Sequence, residues 1–150
     1  KKKALTKTIH DIITKEKVDD SYYYNEDRWF YEEFVKGMTS KDTIYQWRRK
    51  YVRENKNGCC PTLTANMGTG GNNVPIILTD HGFRKLTPAE CFEFQGFPVR
   101  SGEYILPDIA HSHLYKQAGN SVSVPVIQAI AENIMKALEG EQVLQQLSLF

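Results

Sequence analysis

The feature that most constrains the fold is an apolar pattern with helical spacing close to the C-terminal end. Its apolar positions lie on one helix face and are Val126, Ile127, Ile130, Ile134 and Leu138. Ser121 and Ser123 are suitable N-caps, and Pro125 suits the first turn of a helix. Gly140 is a suitable C-terminal stop. The sequence therefore predicts a long helix from about Val124 to Leu138.

The polar stretch from Tyr115 to Pro125 leads into this helix. Gly119 and Asn120 are the residue types that best tolerate a left-handed backbone, so a tight turn that opens the helix is predicted here. Such a helix start presents free backbone N–H groups beside small side chains, and it can hold a polar or anionic ligand. The alternative is an ordinary capped core helix, because most capped helices bind nothing.

A second, shorter helix is predicted to begin after Thr87. Thr87 is the N-cap, Pro88 the first helical residue and Glu90 the reciprocal partner of a capping box. Gly96 and Pro98 end this helix after about two turns. Cys91 lies inside it and is expected to be a small packing residue.

The middle of the chain has the pattern of short strands joined by tight turns. Turn signals occur at Asn57-Gly58 and at 80–82, while strands or extended segments are predicted over 43–52, 60–66 and 74–79. Pro75 places the last of these on a sheet edge or marks its start. One interpretation of the glycine-rich loop at 68–71 is a cradle for a phosphate, but the loop lacks the lysine of a P-loop and no helix is predicted after it. A plain hairpin loop is the alternative. Before this region, short helices are predicted in 1–15 and 27–35, and Ser101 to Ser112 is predicted to be a loop.

A cluster of cations marks the predicted strand and the residues after it. The cluster consists of Arg48, Arg49, Lys50, Arg53 and Lys56, and Glu54 is the only acidic residue among them. The aromatic residues Tyr45, Trp47 and Tyr51 are interleaved with these cations. Cations among flat aromatic rings suit contact with phosphates and bases. The alternative is a solvated basic strand, since the net charge of the whole chain is only +1.

Composition excludes several classes of protein. No apolar run reaches the roughly 18 residues of a membrane span, and no secretory signal is present, so no membrane association is expected. The three cysteines are odd in number, which disfavours a disulfide framework and fits a reducing cytoplasm. No histidine and cysteine spacing suits zinc, and His111 and His113 are expected on the surface, so no metal site is predicted.

Three ordered motifs together resemble the DNA (cytosine-5) methyltransferases. The stretch from Arg84 to Pro98 and the Gly-Asn-Ser-Val turn at 119–122 resemble the last two signature motifs of that family. The Pro61 to Asn66 run, with the glycines after it, resembles the end of the family's target-recognition region. The resemblance extends from about Tyr45 to Ile134, whereas residues 1–43 match only loosely.

The resemblance implies methyl transfer from S-adenosylmethionine to C5 of a flipped-out cytosine. In that family a cysteine thiolate attacks C6 and a glutamate stabilises N3, and the base must leave the stack to be reached. The family's cysteine follows a proline, but this chain contains no Pro-Cys pair. Glu132-Asn133-Ile134 mimics the family's carboxylate motif but falls in the C-terminal helix, and we interpret it as coincidence. No catalytic residue is therefore predicted in this chain.

The resemblance assigns roles to individual residues. It implies that four residues contact S-adenosylmethionine, in a pocket whose larger part lies elsewhere. These residues are Gly119, Asn120, Ser121 and Val122. It implies contacts with double-stranded DNA for the short hydroxyls Thr62 and Thr64 and for the small residues Gly70 and Gly71. Arg48 and Arg49 are candidates for base or phosphate contacts. Arg84 is expected to hold the recognition region in place.

The predicted fold class is α+β. We expect a strand-and-loop recognition region over 1–83, the signature motifs and returning helix over 84–140, and a tail over 141–150. The long helix would pack on an absent α/β catalytic domain, which the same chain or a separate subunit supplies.

The predicted function is DNA recognition within a restriction-modification methyltransferase of the bacterial cytoplasm, at the nucleoid. One alternative is a stand-alone DNA-binding module without enzymatic activity. Another is a structural interaction domain whose apolar helix docks on a partner.

Overall fold

A four-stranded antiparallel sheet separates two layers of helices in this computed structural model, which describes residues 7–69 and 74–138. The strands are β1 (Ile44–Trp47), β2 (Val52–Asn55), β3 (Ile76–Thr79) and β4 (Gly82–Lys85). The helices are α1 (Ile9–Ile12), α2 (Tyr31–Gly37), α3 (Pro88–Phe94), α4 (His111–Asn120) and α5 (Val124–Leu138), with a 3-10 turn at Asp20–Tyr22. The predicted sites Gly70 and Gly71 and the predicted tail at 141–150 lie outside the described residues.

The strand order is β2-β1-β3-β4, which places two hairpins side by side. Tyr45 of β1 pairs with Ile76 of β3 and so joins the hairpins. Because side chains alternate across a strand, neighbouring residues contribute to different cores. Ile44 and Ile77 pack with one buried cluster, whereas Tyr45 and Ile76 pack with the other.

The core on the α2 side of the sheet is rich in aromatic residues. Its buried members are Phe30, Phe34, Met38, Tyr45, Trp47, Ile76 and Phe83. Phe34 lies edge-on to both Trp47 and Phe83, with ring centroids 5.8 and 5.9 Å apart. Such aromatic pairs contribute stability in addition to that from the apolar area they bury, so these contacts add to the stability of this small core.

The core on the opposite side joins α1, α3 and α4 to the extended segment at 61–67. Its buried members include Ile9, Leu63, Met67, Leu86, Cys91, Phe92, Leu114, Tyr115 and Ala118. Cys91 is fully buried in α3, as expected for a packing residue, and burial raises the pKa of its thiol. The two predicted regions meet in this core, and the predicted boundary at 83/84 falls within β4.

A buried ion pair ties β4 to α3 and to the N-terminal segment. The Arg84 guanidinium donates to both carboxylate oxygens of Glu90, at 2.8 and 2.7 Å. Arg84 also donates to the carbonyl of Thr14, and Glu90 accepts from the backbone N–H of Thr14 and Thr87. Burial opposes ionisation of Glu90, but the Arg84 charge and these donors hold its pKa below the usual value.

The sheet and helices agree with the α+β expectation, and several local predictions are confirmed. Thr87 and Glu90 form the predicted capping box, and α5 has the predicted limits. Asn57 and Gly58 both have positive φ in the predicted turn. Pro75 directly precedes β3, so it marks the start of that strand, which lies between β1 and β4.

Three local predictions are wrong. The strand predicted over 43–52 is a hairpin, because the chain turns at 48–51 and returns as β2. The helix predicted over 27–35 begins later, at Tyr31. The loop predicted over 101–112 ends at Ala110, and the residues from His111 through the predicted turn at Asn120 form α4. This helix buries only Leu114, Tyr115 and Ala118 and has no side-chain cap at Ala110. This weak apolar pattern explains why the sequence did not reveal the helix.

Helix α5 has an apolar face that the described residues leave exposed. None of its residues is buried, and about half of the surface of each apolar side chain is accessible at Val126, Ile127, Ile130 and Ile134. A face of this size on a helix is typical of an interaction surface. Within the described part of the chain, no helix is long and apolar enough to cross a membrane.

Candidate cofactor and nucleic-acid interface

The C-terminal end of α4 packs directly on the backbone of the segment at 62–66. A Cβ atom on Gly119 would overlap the carbonyl group of Thr64 and come within 2.7 Å of the Ala65 nitrogen. Only glycine therefore permits this approach. The contact brings the predicted cofactor turn and the predicted DNA-contacting segment together, although they are far apart in sequence.

The backbone of this turn differs from the prediction. Gly119 and Asn120 form the last turn of α4 and have no positive φ, so the left-handed turn predicted there is wrong. Ser121 is the C-cap of α4, and its hydroxyl donates to the Ala118 carbonyl at 2.7 Å. The carbonyl of Ser123 accepts the first hydrogen bonds of α5. The glycine is thus explained by close packing and not by a special φ.

Gln95, which the sequence did not single out, fixes the turn between α4 and α5. Its side-chain amide donates to the carbonyl of Ala118 at 3.1 Å, and its own carbonyl accepts from the backbone N–H of Val124 at 2.8 Å. Gly96, with φ of 92°, lets Pro125 pack closely beside it. The position of Gln95 between a helix end and Gly96 was the only sequence signal for this role.

A polar cleft of about 350 Å³ lies where these elements meet. Its lining includes Thr62, Gln95, Gly119 and Ser121. In the extended segment, Pro61 and Leu63 are buried while Thr62 and Thr64 are exposed, so both predicted hydroxyls face outward. The hydroxyl of Thr64 donates to the side chain of Asn66 at 2.6 Å.

The exposed side chains at the turn suit a nucleoside-like ligand. Asn120 and Val122 are exposed, which leaves an amide and a branched apolar group available at the rim. Hydroxyl and amide groups hydrogen-bond ribose and amino-acid groups, while valine can contact a flat base. The residues present therefore fit part of an S-adenosylmethionine pocket.

Cys60, which also lines this cleft, carries a protonated thiol. Burial raises its pKa to about 12, and the neighbouring Cys59 adds to the shift. A thiol with this pKa is a poor nucleophile at neutral pH, because the thiolate is the reactive form. Cys60 therefore has the properties of a packing residue.

The basic cluster forms the turn of the β1–β2 hairpin and its outgoing strand. Trp47 pairs with Val52, and the backbone N–H of Arg48 donates to the Tyr51 carbonyl at 2.9 Å. Arg49, at the tip, has φ of 58°, an uncommon conformation for a residue with a side chain. The turn therefore presents Arg48, Arg49 and Lys50 to solvent.

The cations of this cluster form no ion pairs with the described residues. The lysines and arginines that do are Lys7, Lys17, Lys36, Lys41 and Arg84. Arg53 instead donates to the side chains of Gln46 and Asn55. An exposed cluster of uncompensated positive charge is the electrostatic pattern expected for a surface that meets phosphates.

The aromatic residues predicted to lie among these cations are not all available. Tyr45 and Trp47 are buried in the aromatic core, because both point to the inner face of β1. Tyr51 remains 56% exposed. Trp29, by contrast, is 78% exposed and lies before α2, although it falls within the helix predicted over 27–35.

Residues 7–69 and 74–138 contain no group of three or more histidine, cysteine or acidic side chains that could hold a metal ion. Within α4, His111 stacks on Tyr22 and lies 3.0 Å from its hydroxyl through Nδ1. His111 therefore has a structural contact of its own.

Comparison with known proteins agrees with the sequence motifs. The family model for C-5 cytosine-specific DNA methylase matches residues 1–136. The chain is 63% identical over 136 residues to the Type II methyltransferase M.Bsp6I of Bacillus sp. (strain RFL6), a match that includes 89% of this chain and 42% of that protein. It is 31% identical over 139 residues to the Type II methyltransferase M1.ScrFI of Lactococcus lactis subsp. cremoris, with 89% of this chain and 33% of that protein covered.

A solved structure has the same fold. The S. pombe Dnmt2 methyltransferase matches 91% of this chain and 44% of its own chain, with a TM-score of 0.61 and 18% identity. The chain belongs to the C-5 cytosine-specific DNA methylase family. It spans less than half the length of these relatives.

Proposed function

We propose that this chain is the C-terminal, DNA-recognising portion of a DNA cytosine-5 methyltransferase of a bacterial restriction-modification system. It acts on double-stranded DNA in the cytoplasm together with a catalytic portion that supplies the cysteine nucleophile. Family membership and the names of the Type II relatives support this assignment. The protonated states of Cys60 and Cys91 agree with a nucleophile that lies elsewhere.

The packing of Gly119 on Thr64 carries this proposal. Methyl transfer is direct, so the cofactor and the target base must bind within reach of each other. This contact fixes the candidate cofactor turn against the candidate DNA segment without an intervening side chain. Gln95 holds the same turn from the side of α3. In this proposal the chain would provide one wall on which both substrates meet.

The exposed groups on this wall would bind S-adenosylmethionine in part. Asn120 hydrogen-bonds the cofactor, Val122 contacts its apolar surface, and Gly119 and Ser121 shape the backbone beneath it. When bound, S-adenosylmethionine supplies the methyl group. This chain orients the cofactor and keeps one side of the pocket closed to water.

The hairpin turn and the outward-facing hydroxyls would bind DNA. Arg48 and Arg49 neutralise phosphates or donate to a guanine edge, since neither forms an ion pair with the described residues. Thr62 and Thr64 face outward; Thr62 donates to the backbone beside the flipped nucleotide, and Thr64 does so once its hydroxyl turns away from the Asn66 side chain. Gly70 and Gly71, outside the described residues, remain predicted positions of close approach to the DNA.

The exposed face of α5 would pack on the catalytic portion. Its apolar residues have the spacing of a core helix, and the relatives have more than half of their length outside the match. Burial of this face would hold the cofactor turn, which directly precedes α5, against the rest of the pocket. The same arrangement is possible in one continuous chain or in two subunits.

The test is reconstitution of methyl transfer. The chain, the portion of M.Bsp6I that it does not match, and an equimolar mixture are each incubated with duplex DNA and tritiated S-adenosylmethionine. We expect label in DNA only with the mixture, and bisulfite sequencing should place it at cytosine. Transfer by the chain alone would contradict the proposal.

A stand-alone DNA-binding module is the second candidate function. The uncompensated charge of the hairpin favours it, because DNA binding does not need the cofactor turn. DNA affinity that does not change with S-adenosylmethionine in the reconstituted mixture, together with no methyl transfer, would favour this alternative.

A further inference from the structure

Trp29 is an exposed aromatic residue that lies near the basic hairpin turn. The residue is 78% exposed, and its ring lies edge-on to Trp47 and to Phe30, with centroid distances of 5.8 and 5.4 Å. Trp47 is the last residue of β1 and directly precedes Arg48. The core therefore fixes Trp29 next to the turn and leaves much of its surface free.

The charges around Trp29 differ from those on the turn. A shallow hollow beside the ring is lined by Glu26, Asp27, Arg28 and Glu32. Asp27 accepts a hydrogen bond from Asn25, and Glu32 pairs with Lys36. Carboxylates repel phosphates, but they accept hydrogen bonds from the amino groups that cytosine and adenine present in the major groove. This surface suits base edges, while the adjacent turn suits the backbone.

We infer that Trp29 contacts the major-groove face of duplex DNA, next to the phosphates bound by the turn at Arg48 to Lys50. This inference rests on the proposed function. The group that it contacts is apolar, either a thymine methyl or a deoxyribose. DNA is selected as the occupant because Trp29 lies against Trp47, the residue before Arg48, and so lies near a turn whose exposed cations form no ion pair with the described residues.

The inference predicts two different kinds of contact on one continuous surface. Loss of an arginine on the turn removes a phosphate contact and lowers the salt dependence of binding. Loss of the Trp29 ring removes an apolar contact and releases no counterion, so the salt dependence should stay the same. This difference separates Trp29 from a residue that only adds to the electrostatic attraction.

The experiment uses the chain assembled with the catalytic portion and a duplex that carries the sequence methylated by the wild type. Affinity is measured over a series of salt concentrations for wild type, Trp29→Ala, Trp29→Phe and Val35→Ala. Val35 is the matched control, since it is 56% exposed on α2 but makes no aromatic contact with the hairpin. We expect Trp29→Ala to bind about tenfold more weakly with an unchanged salt slope. Trp29→Phe should keep most of the affinity, and Val35→Ala should behave as wild type.

Deoxyuridine in place of each thymine distinguishes the two apolar groups. If the wild type loses affinity at one position and Trp29→Ala does not, the ring contacts that methyl group. If Trp29→Ala binds weakly but no deoxyuridine matters to the wild type, the ring contacts deoxyribose. Both results support the inference.

Three results would overturn it. One is Trp29→Ala with wild-type DNA affinity, and another is a shallower salt slope for that variant. The third is loss of association with the catalytic portion in place of loss of DNA affinity, which would make Trp29 a protein contact. Failure of the proposed function is distinguishable, because the wild-type assembly would then neither bind DNA with salt dependence nor methylate it.

Discussion

Two regions of the molecule differ in how their backbone and charged groups are arranged. One is the junction of α3 and α4 with the 62–66 segment, and the other is the turn of the β1–β2 hairpin. At the junction, Gly119 allows backbone to meet backbone, and Gln95 satisfies the carbonyl of Ala118. At the hairpin, Arg48 and Arg49 point into solvent and form no ion pair with the described residues. The first region is closely packed, and under the proposed function the second binds a charged partner.

The difference teaches where mutation should affect stability and where it should affect binding. Substitutions at the junction disturb buried groups and packed backbone, so we expect them to lower the free energy of unfolding. Substitutions in the hairpin turn disturb exposed groups, so we expect stability to be retained while DNA affinity falls. The following predictions test this separation in order of decreasing effect.

Replacement of Glu90 should have the largest effect on stability. Glu90→Gln removes a buried partner of Arg84, and we expect the free energy of unfolding in urea to fall by about 3–5 kcal/mol. Because the pKa of Glu90 is lower when folded than when unfolded, its contribution is present above the unfolded pKa and is lost as the pH falls through the folded value. Glu90→Gln should therefore be less sensitive to acid than wild type, and an unchanged acid transition would contradict the role given to this pair.

Replacement of Gly119 should have the next largest effect. Gly119→Ala places a methyl group on the backbone of Thr64 and Ala65, and overpacking of this kind costs about 1–3 kcal/mol. The control is Gly82→Ala, which has no atom within 4 Å of the new Cβ but a positive φ. If steric overlap dominates, Gly119→Ala should lower the urea midpoint more than the control does. A larger decrease of the urea midpoint for Gly82→Ala would show that the backbone at the junction shifts easily to accommodate the methyl group.

Replacement of Arg48 and Arg49 should change DNA binding but not stability. Loss of two phosphate contacts should make the slope of log affinity against log salt shallower by about 1.8. The matched control is Lys36→Ala, since Lys36 is already paired with Glu32 and Glu33. A wild-type slope for the double variant, measured in the assembled methyltransferase, would remove both arginines from the phosphate contacts.

Replacement of Asn120 should have the smallest effect. Asn120→Ala removes one exposed amide, and loss of one hydrogen bond corresponds to about 0.5–1.5 kcal/mol of cofactor affinity. Isothermal titration of the assembled enzyme should show weaker binding of S-adenosylmethionine, with DNA affinity changed less. Gln117→Ala, one turn earlier on α4 and also exposed, is the control. A larger loss of DNA affinity than of cofactor affinity would contradict the assignment.

Local signals predicted the elements that local chemistry determines. Thr87 and Glu90 form the capping box, and the apolar spacing after Pro125 fixed the limits of α5. Helix α4 escaped prediction because few of its residues are buried and its N-cap is an alanine. Gly119 suggested a turn, but a glycine is needed there because the backbone of Thr64 lies directly against it.

Contacts between distant segments could not be predicted in the same way. Nothing near Thr64 in sequence indicates that Gly119 lies against it, and nothing near Trp29 indicates that Trp47 holds it at the surface. Tyr45 and Trp47 appeared equivalent to Tyr51 in sequence, yet pairing in the sheet buries the first two and exposes the third. The resemblance to the methyltransferase family supplied the candidate residues, and the fold supplied their arrangement.

The most direct test of the central claim is a specificity swap. A hybrid is built from this chain and the catalytic portion of a related methyltransferase that methylates a different sequence, and its products on a random duplex library are read by bisulfite sequencing. If this chain is the DNA-recognising portion, the methylated sequence should be the one obtained when this chain is combined with the M.Bsp6I portion. Methylation at the sequence of the catalytic donor would contradict the account.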